Sequence, residues 1–446
     1  MIKKSTLIVL VCAAILGGVF YFLNKKHDKD VAALLDTSKP AFTFSSGDVT
    51  SVTVSHPSKP DVPPVRMEKS GGNWKIVQPV ETAADSTVVD GSLSNLAFAR
   101  SSQTEPGTPD RLKAFGLDPA KVSVTFQTKN GAKHSLLVGE KVFDGDSVYA
   151  VADGANTVLL LPGSVLTSAD KSLDDWRDHA ALHITSGQVK SFTIKNGSSE
   201  FAAAKTKDQW HFSKPIDVRG DQDSVDSLLG AVQNAKFTAV ASEKPDDLAK
   251  YGLANPAVTF TSTDDTGKQS TLVIGKKDGN DYFARDLSRP MIFHVNSDLD
   301  TQLTKSLADL RDKKVIHVDA ADITRFEIHN EHGDIAVNSQ GSDMWVIEAP
   351  ANLKGKNAPS SMLFDPLNAL RSDKIIDHPP ASIASKTAKP AIEVKLTYKD
   401  KKIVTVRLTQ PENDVVYAQV SGDPAVYTLK KPDYDPLNYE ASSLAQ

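Results

Sequence analysis

Apolar residues fall into the same order three times along this chain. On alternating positions they form short runs at Val49, Val52 and Val54, then Val189, Phe192 and Ile194, then Ile323, Phe326 and Ile328. Period-two spacing near the end of each set predicts a half-buried strand. A strand carrying a tryptophan follows each run and closes on a proline, which ends the ladder: Trp74 to Pro79, Trp210 to Pro215, Trp345 to Pro350. The spacing then changes to three and four. Val88, Val89, Leu93 and Leu96, and later Val225, Leu228, Leu229 and Val232, mark one buried helical face, with Asp85 and Asp221 placed to accept from free amides at the helix entrance. In the third copy Leu363, Leu367 and Leu370 take these roles, and Pro366 predicts a shorter or later-starting helix.

Next comes an aromatic-glycine-leucine turn, Phe115-Gly116-Leu117 and Tyr251-Gly252-Leu253, where glycine supplies a left-handed helix stop; the third copy keeps Pro390 but lacks the aromatic and the glycine. Four short strands are predicted after it, over residues 122–126, 135–138, 148–151 and 157–161, with counterparts at 258–260, 271–274, 282–284 and 291–295. Asn130-Gly131, Asp144-Gly145, Thr266-Gly267 and Asp278-Gly279 suit tight hairpin reversals, so the strands read as antiparallel meanders. Each of the first two copies closes with a short helix running into Arg177-Asp178 or Arg311-Asp312.

The tryptophans recur about 135 residues apart. The pattern predicts an α+β fold of three tandem modules, each an antiparallel sheet with one main helix and a short closing helix: residues 42–180, 181–314 and a divergent 315–446. Linkers this short predict modules packed in a row. The length of 446 residues allows each module its own core, and 40% hydrophobic with 24% charged residues is a globular composition. A formal charge of -5 supplies no basic excess for a nucleic-acid partner.

Ahead of the repeats, residues 6–23 carry no charge and span roughly 27 Å as a helix, just enough to cross a bilayer. Lys3, Lys4, Lys25 and Lys26 flank the run, and Phe20, Tyr21 and Phe22 lie where interfacial aromatics belong. Residues 1–24 therefore read as an uncleaved single-pass anchor and 25–41 as a tether. The rival, a cleaved signal peptide, has only Cys12-Ala13-Ala14 as a cleavage site, behind a short apolar stretch. Lysines nearly balance across the span, so charge does not orient it. Cys12 is the only cysteine, which leaves the soluble part no disulfide, zinc-thiolate site or cysteine nucleophile.

The lysine-flanked span, Ala84-Asp85, Phe115-Gly116-Leu117, Val138-Gly139, Tyr149-Ala150 and Arg177-Asp178 together resemble a bacterial family, the "domain of unknown function 4340". The second copy carries the likeness in Tyr251-Gly252-Leu253, Ile274-Gly275, Phe283-Ala284 and Arg311-Asp312, and the third in Trp345 and Tyr417-Ala418. The resemblance implies an extracytoplasmic protein tethered to the cytoplasmic membrane, in some cases an accessory of a transporter. It supplies no catalytic residues.

Candidate chemistry is sparse. The repeated Arg-Asp pairs offer a recurrent polar point, set against a plainer role in which arginine serves a helix carbonyl end and aspartate begins a turn. The tryptophans offer stacking platforms, set against core positions. His329 and His332 flank Glu331, yet on a strand they face opposite ways. Asp144-Gly145-Asp146 and Asp278-Gly279-Asn280-Asp281 hint at calcium but lack the later bidentate acid. His183 and His317 recur in step with the repeats and read as surface strand histidines. No nucleophile elbow or phosphate loop occurs, so no catalytic, cofactor or metal residue is assigned and no enzyme is expected. The expected function is binding or scaffolding in an envelope complex, with the bilayer and envelope proteins as partners and no small-molecule ligand identified. A carbohydrate or peptidoglycan binder and an envelope hydrolase are the alternatives.

Overall fold

A computed structural model describes residues 38–143, 145–341 and 344–445. The anchor expected at 1–24, most of the tether, and Asp144 of one hairpin lie outside the described residues. Among the described residues no helix is long and apolar enough to cross a membrane.

Three nine-stranded antiparallel sheets share one strand order. In the first, β1 (Val49–Ser55), β2 (Val65–Ser70), β3 (Asn73–Gln78) and β4 (Thr82–Ala83) form a meander. Helix α1 (Ser86–Ala97) then leads to β5 (Gln103–Pro106), β6 (Val122–Thr128), β7 (Lys133–Lys141), β8 (Ser147–Ala152) and β9 (Thr157–Pro162). The order across the sheet is β4-β3-β2-β1-β6-β7-β8-β9-β5. Strands far apart in sequence thus meet at the centre, with Val52 opposite Phe126 and Val54 opposite Val124. Val189–Asn196 pairs with Val258–Asp264 at the centre of the second sheet, and Ile323–Asn330 with Ile392–Tyr398 at the centre of the third. The chain forms two compact units, one ending at Ala180 with the first sheet and one from Ala181 with the second and third.

Each sheet buries one face under its main helix. Trp74, Trp210 and Trp345 are 1–2% exposed, which places all three rings in the core. Polar ends are satisfied from the helix: the Trp74 indole Nε1 donates to Asp90 at 2.7 Å, and that of Trp210 donates to Asp226 at 3.2 Å. Asp85 caps α1 by accepting from the Thr87 and Val88 amides, and Asp221 caps Gln222–Asn234 by accepting from Ser224. Val225, Leu228, Leu229 and Val232 are fully buried, and each such burial stabilises by about 1.5–3 kcal/mol against about 1 kcal/mol for a cap. Packing therefore holds the helix, and the cap fixes where it starts. The third helix, Ser360–Ala369, is shorter and contains Pro366.

Strands β2, β4 and β5 go beyond the sequence reading. In β2 only Val65 and Met67 are buried, between charged or polar neighbours, so its apolar signal is too thin to stand out. The closing helix expected in each of the first two copies is instead a pair: Ser164–Ala169 with Leu173–Trp176, and Ser297–Leu303 with Leu307–Leu310. Reciprocal capping boxes, Ser172 with Asp175 and Ser306 with Asp309, start a fresh helix where one continuous helix was expected.

Two glycines make a close approach possible. A Cβ on Gly139 would lie 2.2 Å from the Phe115 carbonyl oxygen, and one on Gly275 would lie 2.2 Å from that of Tyr251. The Phe115 oxygen accepts from the Glu140 amide at 2.9 Å, so the aromatic-glycine-leucine turn is seated directly on the strand. In the third sheet Thr409 follows Leu408 where Gly139 follows Val138, as the pairings Ile392 with Leu408 and Val122 with Val138 establish. That copy lacks the turn, and the Thr409 hydroxyl accepts from the Tyr417 amide at 3.0 Å instead. The glycine and the turn are lost together because each exists for the other.

Replacing Gly139 or Gly275 with alanine is expected to lower the stability of the corresponding unit by about 1–3 kcal/mol through overpacking against backbone. Gly230→Ala, on a helix with nothing within 4 Å of the new Cβ, is expected to be neutral or stabilising by up to about 1 kcal/mol. Denaturant unfolding of the variants measures both, and equal effects at the two kinds of position would contradict the packing argument.

Candidate functional site

The segment joining the second and third sheets is stitched to both. The Asp312 amide donates to the Arg219 carbonyl at 2.9 Å, beside the short edge strand Val218–Arg219, and Gly220 bridges Arg311. Further on, the Val315 amide donates to Leu370 at 3.0 Å and the Ser372 amide to Lys313 at 2.8 Å. Two ion pairs span the same joint. Arg311 Nη1 donates to Asp377 at 2.6 Å, and Arg371 Nη2 to Asp221 at 3.0 Å.

Where these strands diverge, a cavity of about 470 Å³ opens. Its walls are Ile216 to Arg219 from the second module, the joining residues Arg311, Asp312 and Lys314 to His317, and Asp377, His378, Gly422 to Ala425 and Tyr427 from the third. Among the described residues, no serine, threonine or cysteine lines it. Most of its ionisable groups are engaged. Asp312 accepts from the Lys314 amide at 2.9 Å, pairs with the His317 ring, and lies 3.4 Å from Arg219 Nε. Asp423 accepts from the Tyr427 hydroxyl at 2.6 Å and from the Ala425 amide at 2.9 Å.

Burial works to raise the Asp312 carboxyl, but the hydrogen bonds from His317 and the Lys314 amide, with the His317 and Arg219 charges, hold it below the ordinary aspartate range. Burial pushes the Tyr427 hydroxyl far upward, and its bond to Asp423 adds to that, so it stays protonated as a donor.

The recurrent residues of the sequence take the following places. Arg311 is buried and turned to Asp377, so its side chain serves a neighbouring segment and not the carbonyl end of its own helix. Asp312 does begin a turn, as does Asp178, which accepts from the Ala180 amide at 2.8 Å. His317 lies in irregular backbone, outside the strand expected for it, held by Asp312. His329 pairs with Asp334 at 2.7 Å, and His332 lies 3.6 Å from Glu331. No group of three metal-ligating side chains occurs among the described residues. Asp278 contacts His294 at 3.0 Å and Asp281 accepts from Thr238 at 2.8 Å, each carboxylate reaching a side chain two strands away in the sheet, outside its own hairpin. Asp377, His378, Asp423 and Tyr427 were not singled out from sequence, because none recurs in the other copies.

Replacing Asp312 with asparagine is expected to cost about 1–2 kcal/mol of stability in the second unit at neutral pH. A depressed carboxyl stabilises above its unfolded pKa and loses that contribution as pH falls through its folded one. The penalty is therefore expected to fade below about pH 4. Unfolding measured from pH 7 down to pH 3 checks this, and a pH-independent penalty would contradict it.

A family model described as "Domain of unknown function (DUF4340)" matches residues 74–214 and 210–380. No curated protein matches the chain. Both matched stretches open at a core tryptophan strand, Trp74 in one and Trp210 in the other, and together they cover well over half the sequence. The chain belongs to the DUF4340 family, present in two overlapping matches that reflect tandem copies of the domain.

Proposed function

We propose that this protein is a membrane-anchored, extracytoplasmic binding or scaffold component of a bacterial envelope complex. One observation carries the reading: residues that recur from copy to copy contribute to shape. The tryptophans are core, the glycines admit a close backbone approach, and Arg311-Asp312 joins two modules. A unit duplicated for its shape presents repeated surfaces, which is what a scaffold needs. Residues 6–23 supply the anchor in this reading, and holding the array at a membrane raises its effective concentration for partners there.

An accessory role beside a transporter fits the same arrangement. The carbohydrate-binding alternative draws no support from the tryptophans, whose buried rings offer no stacking face. A hydrolase would have to draw on the aspartates and histidines of the joint cavity, since among the described residues no serine, threonine or cysteine lines it.

The full chain is expected to stay with membranes through an alkaline wash, and a chain starting at residue 25 to be released. Purification in mild detergent is expected to bring other envelope proteins with it. Recovery of the full chain alone, or in the soluble fraction, would count against the proposal.

A further inference from the structure

Arg311 is only 6% exposed, yet its guanidinium is under-used. It has five N–H donors. Among the described residues it makes one side-chain hydrogen bond, through Nη1 to Asp377, and its buried Nε has no acceptor. Nε is itself enclosed, and Nη2, which makes no hydrogen bond among the described residues, is the donor left over beside the cavity. Lys314 lies three residues along on the same cavity wall, half-buried, and no ion pair holds its ammonium among the described residues. The other cation of the wall, Arg219, is already committed to Asp312 and to the Gln209 side chain. A buried cation with spare donors beside a roomy cavity calls for an acceptor supplied from the cavity side.

The surroundings narrow its chemistry. Asp217, Asp312, Asp377 and Asp423 line the same space and repel any anion, a dianion about twice as strongly as a monoanion, so the acceptor carries a single charge and must lie against Arg311 and Lys314. Ile216, Val218 and Pro424 add an apolar stretch of wall suited to a carbon skeleton. We propose that the joint between the second and third sheets binds a small organic monocarboxylate, its carboxylate received by Arg311 with Lys314 beside it. A free metabolite and the C-terminus of a peptide share this chemistry. The site is independent of the envelope reading, since it needs neither a membrane nor a protein partner.

The test is titration calorimetry on the full chain in mild detergent, with three probes: N-acetyl-leucine, the uncharged N-acetyl-leucinamide, and inorganic phosphate. N-acetyl-leucine is expected to bind, and the amide at least about tenfold more weakly, since a charge-assisted hydrogen bond is lost. Arg311→Lys, which keeps the charge and removes the Nη2 donor, is expected to weaken binding about tenfold. Should that variant fail to fold, Lys314→Gln at a half-buried position keeps the question open to measurement and is expected to weaken binding several-fold with unchanged unfolding temperature. Comparing N-acetyl-leucine with a leucine-terminated tripeptide separates the two sources: tighter binding of the tripeptide assigns a peptide terminus, and exclusion of the tripeptide assigns a free small molecule. Equal binding of acid and amide, tighter binding of phosphate, no binding of any probe, or an unaltered affinity in Lys314→Gln would each overturn the proposal.

Discussion

Everything in this architecture depends on one seated ring. A nine-stranded sheet has an apolar face that must be covered, and a single helix of ten to thirteen residues is the main cover available in each copy. An indole on the third strand reaches up from the sheet, fills the volume beneath that helix, and in the first two copies ties back to a helix carboxylate through its only polar atom. The ring fixes how helix and sheet register, and the register fixes where the following chain can return to pair at the sheet centre. Losing that ring would leave a cavity beneath the helix in every copy, which explains why the same residue stands at the same point three times.

The second constraint is the backbone contact at Gly139 and Gly275. It couples a turn to a strand so tightly that neither varies alone, and the third copy, with Thr409 and no aromatic-glycine-leucine turn, has altered both. Divergence there is a coordinated change of local packing with the sheet order intact. The joint between the second and third modules follows a similar logic: short segments paired by backbone, with charges facing across, leave one opening where the paired segments part.

Much of this was legible in the residue pattern. Alternation at Val49 to Val54 and the three-four spacing from Val88 to Leu96 located a strand and a helix because one face of each is apolar. The split of the closing helix escaped because a capping box between apolar residues such as Ala169 and Leu173 looks like continued helix until its side chains are seen to fold back on themselves. Edge strands such as β5 escaped because a single paired side and few buried residues leave almost no periodic trace. The cavity was legible only in half. Arg311, Asp312 and His317 recur in the repeat and attract notice, whereas Asp377, Asp423 and Tyr427 belong to one copy and meet them only through the fold.

The account holds that the repeated indoles are structural, and the fluorescence of the native chain tests that most directly. All four tryptophans are buried, so emission is predicted to be blue-shifted, resistant to iodide, and unmoved by soluble glycans or peptidoglycan fragments. Red-shifted emission that iodide quenches, or that shifts when a glycan is added, would mean that these rings meet solvent and ligand, and the shape-building reading of the repeat would be wrong.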